Sequence, residues 1–567
     1  MNRIWTERPG SDAPTDIDSW AQRLEISPLI ARLLWQRGLT TPSEMDVFLS
    51  PGLRNLAAPE TLPGLSDAAQ VLAEGLNEGK QFCVWGDYDV DGVTSTALVT
   101  SFMNARGIKA SHHIPNRLEH GYGMNLDGIE QLAAQGVKLL LTVDCGITSH
   151  EEIARANELG ITVVVSDHHL PGEKGLPPAS AVTNPRLGDC PCPDLAGVGV
   201  AFLLMAAVNR LLPGQAVDMR QYLDLVALGT IADVVRLTGQ NRILVKNGLL
   251  LVTEASRPGI AALKEASGYA PSAALGAGQV GFGLAPRINA SGRLGDAEAA
   301  FKLLLAPDYE TARPFAQQLD ALNADRRGQE DTILKEAKKQ AEGQLDNLGL
   351  VLHAPGWHPG VIGIVASRIV EAYYRPTLIL AEEGDLLKGS GRSTREFDLH
   401  AGLTSCADLL AGFGGHKQAA GMSLEKSNLD ALRTAFHQAV LDQCGDKPLT
   451  ATLFIDGELP FSDIDFDLLK ELEMLQPFGP GNAEPVFSSP PVKVTDRRTF
   501  GKDHVKLKLT DEVSGMTLNA KAWRQAEAIG PDIRGKQIRI AYTPKIDRYQ
   551  GMATIDLLIK DWKVERS

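Results

Sequence analysis

Between residues 79 and 255, short apolar runs alternate with stretches that have apolar positions at helical spacing. Four of the runs have the length of buried strands, and they cover residues 82–85, 108–112, 138–143 and 161–166. The first run leads into a helical stretch over 93–106 that ends at Gly107, a residue type common at helix C-termini. This alternation of strands and helices predicts a parallel sheet covered by helices.

The same patterns divide the whole chain into five regions. They are an N-terminal helical cover of the next domain (1–75), the α/β domain (76–255), a glycine-rich connector with a long linking helix (256–345), a second α/β unit (346–445) and a strand-rich region (450–567). The linking helix is predicted over about 296–344, because apolar residues recur there at helical spacing among many charged ones.

The second α/β unit and the strand-rich region carry shorter patterns. Strands are predicted at 348–353, 377–381, 492–494, 505–509, 538–542 and 553–559, and a helix at 361–374. Two glycine-rich stretches of the second unit, 388–393 and 414–421, are predicted as polar loops. Small residues let backbone amides approach an oxyanion, so we interpret these loops as a phosphate grip.

Composition limits the class of protein. The 567 residues are 44% hydrophobic and 22% charged, and no apolar run reaches the roughly 18 residues of a membrane span. The first residues do not form a signal peptide, and the six scattered cysteines fit reduced thiols, so a cytoplasmic protein is expected. The net charge of −14 argues against global attraction to nucleic acid. Residues 490–567, however, carry 16 Lys and Arg against 10 Asp and Glu, which could steer a polyanion.

The first strand leads into an acidic turn, Gly-Asp-Tyr-Asp-Val-Asp-Gly (86–92). Its carboxylates Asp87, Asp89 and Asp91 would repel one another unless cations lie between them. A solvated acidic loop is the plain alternative. A calcium loop of the EF-hand type is a second, but that pattern requires Glu at its twelfth position, where this chain has Leu98.

Further polar groups follow the other predicted strands. Asp144 follows the third strand, His168 and His169 follow the fourth, and Asp233 follows a helix-like apolar stretch. In an open parallel sheet, ligands bind beyond the carboxyl ends of the strands, so the groups that follow strands are expected in one crevice, with Asp233 as a further acid. Carboxylates with imidazole and no thiolate favour Mg²⁺ or Mn²⁺, and a shared carboxylate would make a two-ion site that hydrolyses phosphate esters.

These residues carry a family resemblance. Four segments resemble the motifs of the DHH phosphoesterase superfamily: Gly-Asp-Tyr-Asp-Val-Asp-Gly (86–92), Val-Asp-Cys-Gly (143–146), Ser-Asp-His-His (166–169) and Thr-Ile-Ala-Asp (230–233). Residues 414–421 resemble the glycine-rich signature of the DHH-associated domain. Together with residues 115–123, 283–293 and 475–482, the chain is similar to the RecJ family of bacterial exonucleases.

The resemblance implies a fold and an activity. The fold is α/β, with a parallel-sheet DHH domain and an α/β DHH-associated domain joined by a long helix, plus a C-terminal β-barrel of the OB type. The activity is hydrolysis of single-stranded DNA from 5′ to 3′ into 5′ mononucleotides with two Mn²⁺ or Mg²⁺ ions, in DNA repair and recombination. A cleft between the domains would be too narrow for duplex DNA.

The resemblance also implies roles for the metal-site residues. Asp89 and Asp91 would each hold one ion, Asp144 would bridge the ions, and His168 and Asp233 would complete the coordination of the second ion. Asp87 would support the site from outside, and His169 would touch the scissile phosphate or fix His168. Trp85 is a departure, since many superfamily members have a histidine ligand four residues before Asp89.

Residues outside the metal site are implied to bind the DNA strand. Those that would hold its 5′ end are Arg117, Arg287, Ser390 and Arg392, with His416 near the nucleotide being cut. In the OB-type region, Phe500, Trp523, Tyr542 and Tyr549 lie among lysines and arginines, as in proteins that combine base stacking with phosphate contacts. A monomer is expected, and a single-strand-binding protein and a helicase are the implied protein partners.

Two alternatives stay open from the sequence. A DHH phosphoesterase acting on very short oligonucleotides or nucleotide phosphates would need no strand-rich C-terminal region. A scaffold protein that has lost its chemistry would be expected to lack some of the ligands, all of which are present here.

Overall fold

The structure is a computed structural model that describes residues 3–10, 12–117, 121–294, 296–447, 449–548 and 553–565. The chain forms two compact units. The small unit contains Arg287–Ala299 and Gln317–Thr452. The large unit contains Trp5–Pro286, Ala300–Ala316 and the chain from Leu453 onward. Among the described residues, no helix is both long and apolar enough to cross a membrane.

The described helices are α1 (Ile17–Leu24), α2 (Pro28–Trp35), α3 (Pro42–Leu49), α4 (Leu65–Asn77), α5 (Val90–Ala105), α6 (Leu126–Ala134), α7 (His150–Glu158), α8 (Gly197–Leu211), α9 (Leu223–Ala232), α10 (Gly239–Glu254), α11 (Pro258–Ala266), α12 (Ala277–Gln279), α13 (Ala285–Leu294), α14 (Glu298–Leu305), α15 (Tyr309–Glu342), α16 (Ile362–Tyr373), α17 (Leu399–Thr404), α18 (Leu429–Cys444) and α19 (Phe466–Met474). A π-helical turn, Val280–Leu284, joins α12 to α13.

The described strands are β1 (Ile4–Glu7), β2 (Phe82–Trp85), β3 (Ala110–His113), β4 (Leu139–Val143), β5 (Thr162–Ser166), β6 (Ala181–Thr183), β7 (Leu350–His353), β8 (Thr377–Glu383), β9 (Leu386–Arg392), β10 (Gly412–Gly415), β11 (Ala419–Glu425), β12 (Thr452–Ile455), β13 (Gly457–Glu458), β14 (Phe487–Ser488), β15 (Val492–Phe500), β16 (His504–Thr510), β17 (Thr517–Ala522), β18 (Gln537–Asp547) and β19 (Thr554–Val564).

The sheet that carries the metal-site residues is parallel throughout, in the order β3-β2-β4-β5-β6. Its central strands β2, β4 and β5 are largely apolar on both sides because helices cover both faces. The core on one face includes α6 and α7, and α4, α5 and α8 pack on the other. The four predicted strands are present. The fifth strand, β6, was not predicted, because it has only three residues and no long apolar run marks it.

The N-terminal helices α1, α2 and α3 share one hydrophobic core with α19 and the C-terminal barrel. For α1–α3 this differs from the expectation that residues 1–75 cover the next domain. The later part of that region does cover it: α4 packs on the parallel sheet, and the segment before α4 is hydrogen-bonded to α10 and β6 through Ala57, Pro51 and Pro63. The periodicity of α1–α3 shows that one face is buried but does not identify the partner, and the partner here lies about 400 residues further along the chain.

Arg242 of α10 connects these parts of the large unit. Its buried guanidinium donates hydrogen bonds to the carbonyl oxygens of Phe48 (2.9 Å), Leu475 (3.0 Å) and Met474 (3.1 Å), and it lies 3.6 Å from the centroid of the Phe48 ring. These carbonyls belong to the last turns of α3 and α19, where helix carbonyls lack partners within the helix. One cation therefore caps two helix C-termini, one on either side of α10 in the sequence.

The small unit has a mixed sheet in the order β10-β11-β9-β8-β7. The prediction of two polar loops in this unit was wrong. Residues 388–393 belong mostly to β9, and 414–421 form the hairpin of β10 and β11. The glycines of β9 serve packing, because a methyl group on Gly389 would lie 2.5 Å from a Leu380 methyl and one on Gly391 would lie 2.8 Å from a Leu378 methyl.

The predicted linking helix consists of two helices, α14 and α15. They are separated because Pro307 has no N–H to donate and its ring disfavours continuation of the preceding helix. The Asp308 carboxylate accepts a hydrogen bond from the Thr311 amide at 2.8 Å, which starts the new helix at Tyr309.

The C-terminal barrel closes through five strands. β15 pairs with β16, β16 with β17, β17 with β19, β19 with β18, and β18 again with β15. This strand order, 1-2-3-5-4-1, is that of an OB fold. β17 is absent from the predicted strands because its inward positions are Leu518, Ala520 and Ala522, of which only one is large.

Candidate metal centre and phosphate pocket

The acidic turn lies between β2 and α5. The helix begins at Val90, three residues earlier than predicted, so Asp89 is its N-cap and Asp91 lies in its first turn. The Asp89 carboxylate accepts a hydrogen bond from the Gly92 amide at 3.1 Å. Asp87 and Asp91 are buried, and Asp89 is half-buried. The turn thus brings three carboxylates to the carboxyl end of the sheet.

Asp91 is held by the N-terminus of α8. Its two carboxylate oxygens accept hydrogen bonds from the amides of Gly197 (2.7 Å) and Val198 (2.9 Å). Unpaired amides and the helix dipole favour negative charge at this position. Space is tight, because a methyl group on Gly197 would lie 2.8 Å from Asp144 Oδ1 and 3.0 Å from Asp91 Oδ2. Glycine is therefore required where this helix meets the carboxylates.

The remaining predicted ligands meet around His168. Its Nε2 lies 3.0 Å from Asp144 Oδ1, 3.7 Å from Asp233 Oδ2 and 3.9 Å from Asp91 Oδ2. Three sets of side chains bring ligand atoms within 4.8 Å of one another: Asp144, His168 and His169; Asp91, His168 and Asp233; and Asp87, Asp89 and Asp144. Asp144 belongs to two of these sets and adopts the left-handed backbone conformation at φ 60°.

Burial and mutual repulsion make this cluster costly without cations. Burial, followed by repulsion from Asp89 or Asp91, raises the pKa of Asp91 to about 7, of Asp87 to about 8 and of Asp233 to about 9. The same two causes raise the pKa of Asp144 well above its usual value. Burial lowers the pKa of His168 to about 4, so its imidazole is neutral and able to act as a ligand.

Several atoms of the cluster lack a hydrogen bond. The buried atoms Asp87 Oδ1, Asp144 Oδ1, Asp233 Oδ2 and His168 Nε2 have no hydrogen-bond partner among the described residues, since the 3.0 Å approach of His168 Nε2 to Asp144 Oδ1 lacks hydrogen-bond geometry. Buried polar groups in proteins are nearly always satisfied, so these atoms require another partner. Carboxylate oxygens and one imidazole nitrogen are the donor set for Mg²⁺ or Mn²⁺, and the residues present fit such ions.

His169 differs from its neighbour because it is held by Asp167. His169 Nδ1 lies 2.8 Å from Asp167 Oδ1. Burial lowers the His169 pKa, but the hydrogen bond and the charge of Asp167 outweigh this and raise it to about 9. Fully buried Asp167 also accepts hydrogen bonds from the amides of Ile147, His168 and His169. His169 is therefore a cation at neutral pH beside a centre of carboxylates.

Asp167 and Tyr122 were not assigned roles from the sequence. The Tyr122 hydroxyl donates to the Asp144 carbonyl oxygen at 3.0 Å and lies 3.1 Å from His169 Nδ1. Both residues lie inside segments that carried the family resemblance. For Asp167 the sequence held a signal, because a carboxylate next to two histidines can orient an imidazole ring. The sequence contained no comparable signal for the hydroxyl of Tyr122.

Trp85 does not approach the carboxylates in place of a histidine ligand. Its ring is buried in the core that α6 and α7 form with the sheet, and it packs against the tilted ring of His113 at 4.0 Å between ring centroids. The position before the acidic turn is thus a packing position in this chain.

The residues predicted to bind the 5′-terminal part of the DNA strand are divided between the two units. Arg117 lies in the large unit, with its guanidinium 5.2 Å from the centroid of the Tyr88 ring in the acidic turn. Arg287, Ser390, Arg392 and His416 lie in the small unit.

Ser390 and Arg392 are adjacent on β9. Arg392 Nη1 donates to Ser390 Oγ at 3.0 Å and to the Gly391 carbonyl oxygen at 2.7 Å. A methyl group on Gly363, in the first turn of α16, would lie 2.9 Å from Ser390 Oγ and 3.1 Å from Arg392 Nη2. The start of a helix, a hydroxyl and a guanidinium therefore meet at one point, which is the chemistry of a phosphate site.

The other two predicted residues lie on neighbouring elements of the small unit. Arg287 Nη2 forms an ion pair with Asp320 of α15 at 2.8 Å. His416 lies in the turn between β10 and β11, next to the pairing of Ala419 with Arg392, and its amide donates to the Ala419 carbonyl oxygen.

The barrel residues predicted to contact bases have different environments. Tyr542 is part of the core, and its hydroxyl donates to the Leu459 carbonyl oxygen at 2.6 Å. Trp523 is half exposed and packs edge to face with Phe500. Tyr549 lies outside the described residues. The sequence could not separate these rings, since strand aromatics serve both cores and contacts.

Comparisons with known proteins agree with this architecture. The family model for the DHH family, N-terminal domain, matches residues 81–230, the DHHA1 domain matches 347–442, and the RecJ OB domain matches 455–561. The fold and the carboxylate–histidine cluster thus define a member of the DHH phosphoesterase superfamily.

Relatives over nearly the full length narrow the assignment. The single-stranded-DNA-specific exonuclease RecJ of Dickeya dadantii is 39% identical and is aligned over 99% of both chains, and that of Escherichia coli K12 is 36% identical over 95% and 96%. The crystal structure of RecJ from Thermus thermophilus in complex with Mn²⁺ matches with a TM-score of 0.83 at 33% identity, covering all of this chain and 80% of that one. The chain belongs to the RecJ family.

Proposed function

We propose that this chain is a metal-dependent exonuclease that digests single-stranded DNA from 5′ to 3′ and releases 5′ mononucleotides. The observation that carries the proposal is the buried cluster of carboxylates around His168, whose unpartnered atoms fit two divalent cations. The relatives named single-stranded-DNA-specific exonucleases, one of them solved with Mn²⁺, support the substrate and the metal.

In this proposal the chain's own residues arrange the phosphate and the water. Asp89, Asp91, Asp144, His168 and Asp233 are the metal ligands, with Asp144 shared. Mn²⁺ or Mg²⁺, when bound, supplies Lewis-acid activation of water and neutralises the phosphate. Asp87 supports the ligands from the buried side of the turn.

His169 is proposed to donate a hydrogen bond to the scissile phosphate. Asp167 keeps its imidazole protonated at neutral pH and holds the ring in place. A charge-assisted hydrogen bond to a phosphate oxygen strengthens as negative charge develops there during hydrolysis.

We propose that digestion runs from 5′ to 3′ because the 5′ end of the strand is bound by Arg117, Arg287, Ser390 and Arg392. His416 is proposed to lie near the nucleotide being cut. An end anchored at a fixed distance from the metal centre limits cleavage to the first nucleotide. The barrel is proposed to hold the strand further along through backbone contacts, as non-specific binding to DNA requires.

The cellular setting follows from the same proposal. We expect a cytoplasmic monomer that works in DNA repair and recombination, with a single-strand-binding protein and a helicase as partners that supply or protect the strand.

The test is digestion of a single strand labelled at either end, with Mn²⁺ or with EDTA, beside a blunt duplex and a dinucleotide. We expect metal-dependent release of a 5′-terminal mononucleotide first, late loss of the 3′ label and no digestion of the duplex. Asp144→Asn should abolish hydrolysis and leave DNA binding largely intact. Release from the 3′ end first would contradict the polarity, and equal rates on dinucleotides and long strands would favour a small-substrate phosphoesterase.

The 5′ grip has its own control. Arg392→Gln should raise KM for a strand with a 5′ phosphate and change little for a strand with a 5′ hydroxyl. Arg433→Gln, which removes a half-buried arginine of α18 in the same unit, should affect neither strand. Equal effects of Arg392→Gln on both strands would argue against a terminal phosphate site.

A further inference from the structure

Phe282 is exposed to solvent to an unusual degree for an aromatic residue. Its side chain is 90% exposed, whereas the next most exposed aromatic residues among those described, Trp523 and Tyr122, are 50% and 49% exposed. An aromatic ring in water contributes nothing to the core, so its position calls for another explanation. Single exposed apolar residues are common on proteins, and the local geometry must therefore decide.

The π-helical turn that carries Phe282 is firmly anchored. Val280 and Leu284 are fully buried, and they place the residue midway between them on the outer side of the turn. The two neighbours of Phe282 are glycines, so no adjacent side chain covers the faces of the ring. A π-helical turn is rare and occurs often at functional sites. The Phe282 ring is thus open to solvent, while the turn that carries it is fixed by its buried neighbours.

This turn packs beside the end of the helix that carries a proposed metal ligand. A methyl group on Gly281 would lie 3.4 Å from the side chain of Ile231, and Ile231 precedes Asp233 by two residues, which span at most about 7 Å. The chain leaves α9 through Val234, which has a φ of 61° and is 67% exposed. A β-branched residue rarely adopts this conformation, and such strain concentrates at functional sites.

We propose that Phe282 is a stacking platform for one nucleobase of the strand whose backbone is held at the metal centre. Every base has a π-face, so a bare ring binds any sequence, as an exonuclease without sequence preference requires. The exposed side chain of Val234 extends the apolar surface beside Asp233. In duplex DNA both faces of a base are covered by its neighbours, so the platform selects an unstacked strand. This inference rests on the proposed function.

The test is a scan in which single abasic sites replace successive nucleotides from the 5′ end. Removal of the base above Phe282 should raise KM for the wild-type chain about 5- to 150-fold, the range of one stacked base, with little change in kcat. Phe282→Ala should raise KM for the intact strand by a similar factor and remove the sensitivity at that position alone. Phe282→Trp should restore both.

Two controls separate stacking from damage to the fold. Phe466→Ala removes another exposed phenylalanine at the start of α19 and should leave KM and the abasic profile unchanged. The melting temperature of Phe282→Ala should equal that of the wild type, because the ring is almost fully exposed and adds little to the core.

Each contrary result has a distinct meaning. A Phe282→Ala variant that keeps the wild-type abasic profile would overturn this inference alone. The same holds if Phe282→Ala abolishes self-association of the DNA-free protein in sedimentation and leaves digestion unchanged, because the ring would then be a protein contact. A wild-type chain that digests no single strand at all would overturn the proposed function and this inference with it.

Discussion

Gly197→Ala is the substitution that tests the proposed metal centre with the smallest change in chemistry. It adds one methyl group at the start of α8 and leaves every carboxylate and imidazole in place. That methyl carbon would lie 2.8 Å from Asp144 Oδ1, 2.9 Å from Asp144 Cβ and 3.0 Å from Asp91 Oδ2. The backbone of Gly197 has no positive φ that would exclude alanine. The effect should therefore come from steric displacement of the ligands.

The size of the effect follows from these distances. Returning Asp144 Oδ1 to an ordinary 3.4 Å contact requires a shift of about 0.6 Å, against a tolerance of about 0.2 Å for metal–ligand bonds. Overpacking of this kind costs about 1–3 kcal/mol. If the cost falls on the metal-bound state, affinity for Mn²⁺ should fall about 5- to 150-fold. The loss of activity at limiting Mn²⁺ should follow the loss of affinity.

Titration of free Mn²⁺ by electron paramagnetic resonance measures this affinity directly. Gly199→Ala is the control, since it makes the same change two residues along α8, where the methyl would meet the apolar Leu195 side chain (Cδ1 at 2.8 Å, Cγ at 2.9 Å) and no carboxylate. We expect near wild-type Mn²⁺ binding for Gly199→Ala. Wild-type Mn²⁺ affinity in a folded Gly197→Ala variant would refute the assignment of Asp91 and Asp144 as ligands.

Two further predictions concern protons and the assembly of the large unit. Because the pKa values of Asp91, Asp87 and Asp233 are raised to about 7, 8 and 9, their contribution to the stability of the metal-free chain is fully present below their usual pKa of 3.8 and is lost as the pH rises through 7 to 9. Mg²⁺ competes with these protons, so the increase in Tm that it causes should be larger at pH 9 than at pH 6, and equal shifts would contradict the raised pKa values. Arg242→Met should lower the free energy of unfolding by about 3 kcal/mol, since it leaves three helix-end carbonyls without this donor. Chemical denaturation measures this loss, Arg220→Met is an exposed control, and equal stability of the two variants would argue against the capping role.

The parallel sheet was predictable because its central strands β2, β4 and β5 are buried on both faces. Nearly continuous apolar runs such as residues 139–143, when helical stretches separate them, are typical of buried strands in a parallel sheet. Convergence of Asp91, Asp144 and His168 followed from the same topology, since these residues follow parallel strands that end at one edge. Asp233 follows α9 instead, so this argument did not place it. β6, which has three residues, and β17, whose inward residues are mostly small, lack this signal. Their stability comes from neighbouring strands that a local pattern does not include.

The glycine-rich segments were the main source of error. In β9, glycine marks positions where the side chains of Leu380, Met422 and Leu378 cross the strand, but the sequence shows only a residue common in loops. The role of Gly197 was missed for a related reason. A glycine at a helix start indicates close approach only when the approaching group, here Asp144 from a distant strand, is known.

The shared core of α1–α3 and the C-terminal barrel has a consequence for synthesis of the chain. The apolar residues of α1–α3 are translated well before the barrel, and the partners that cover them begin at Leu459, about 400 residues later. At about 5–20 residues per second, the ribosome needs roughly 20–80 s to supply those partners. During that time the three helices have no completed core, and they are a natural client for chaperones that bind nascent chains. A ribosome that stalls before the barrel would release a chain whose N-terminus is still unfolded.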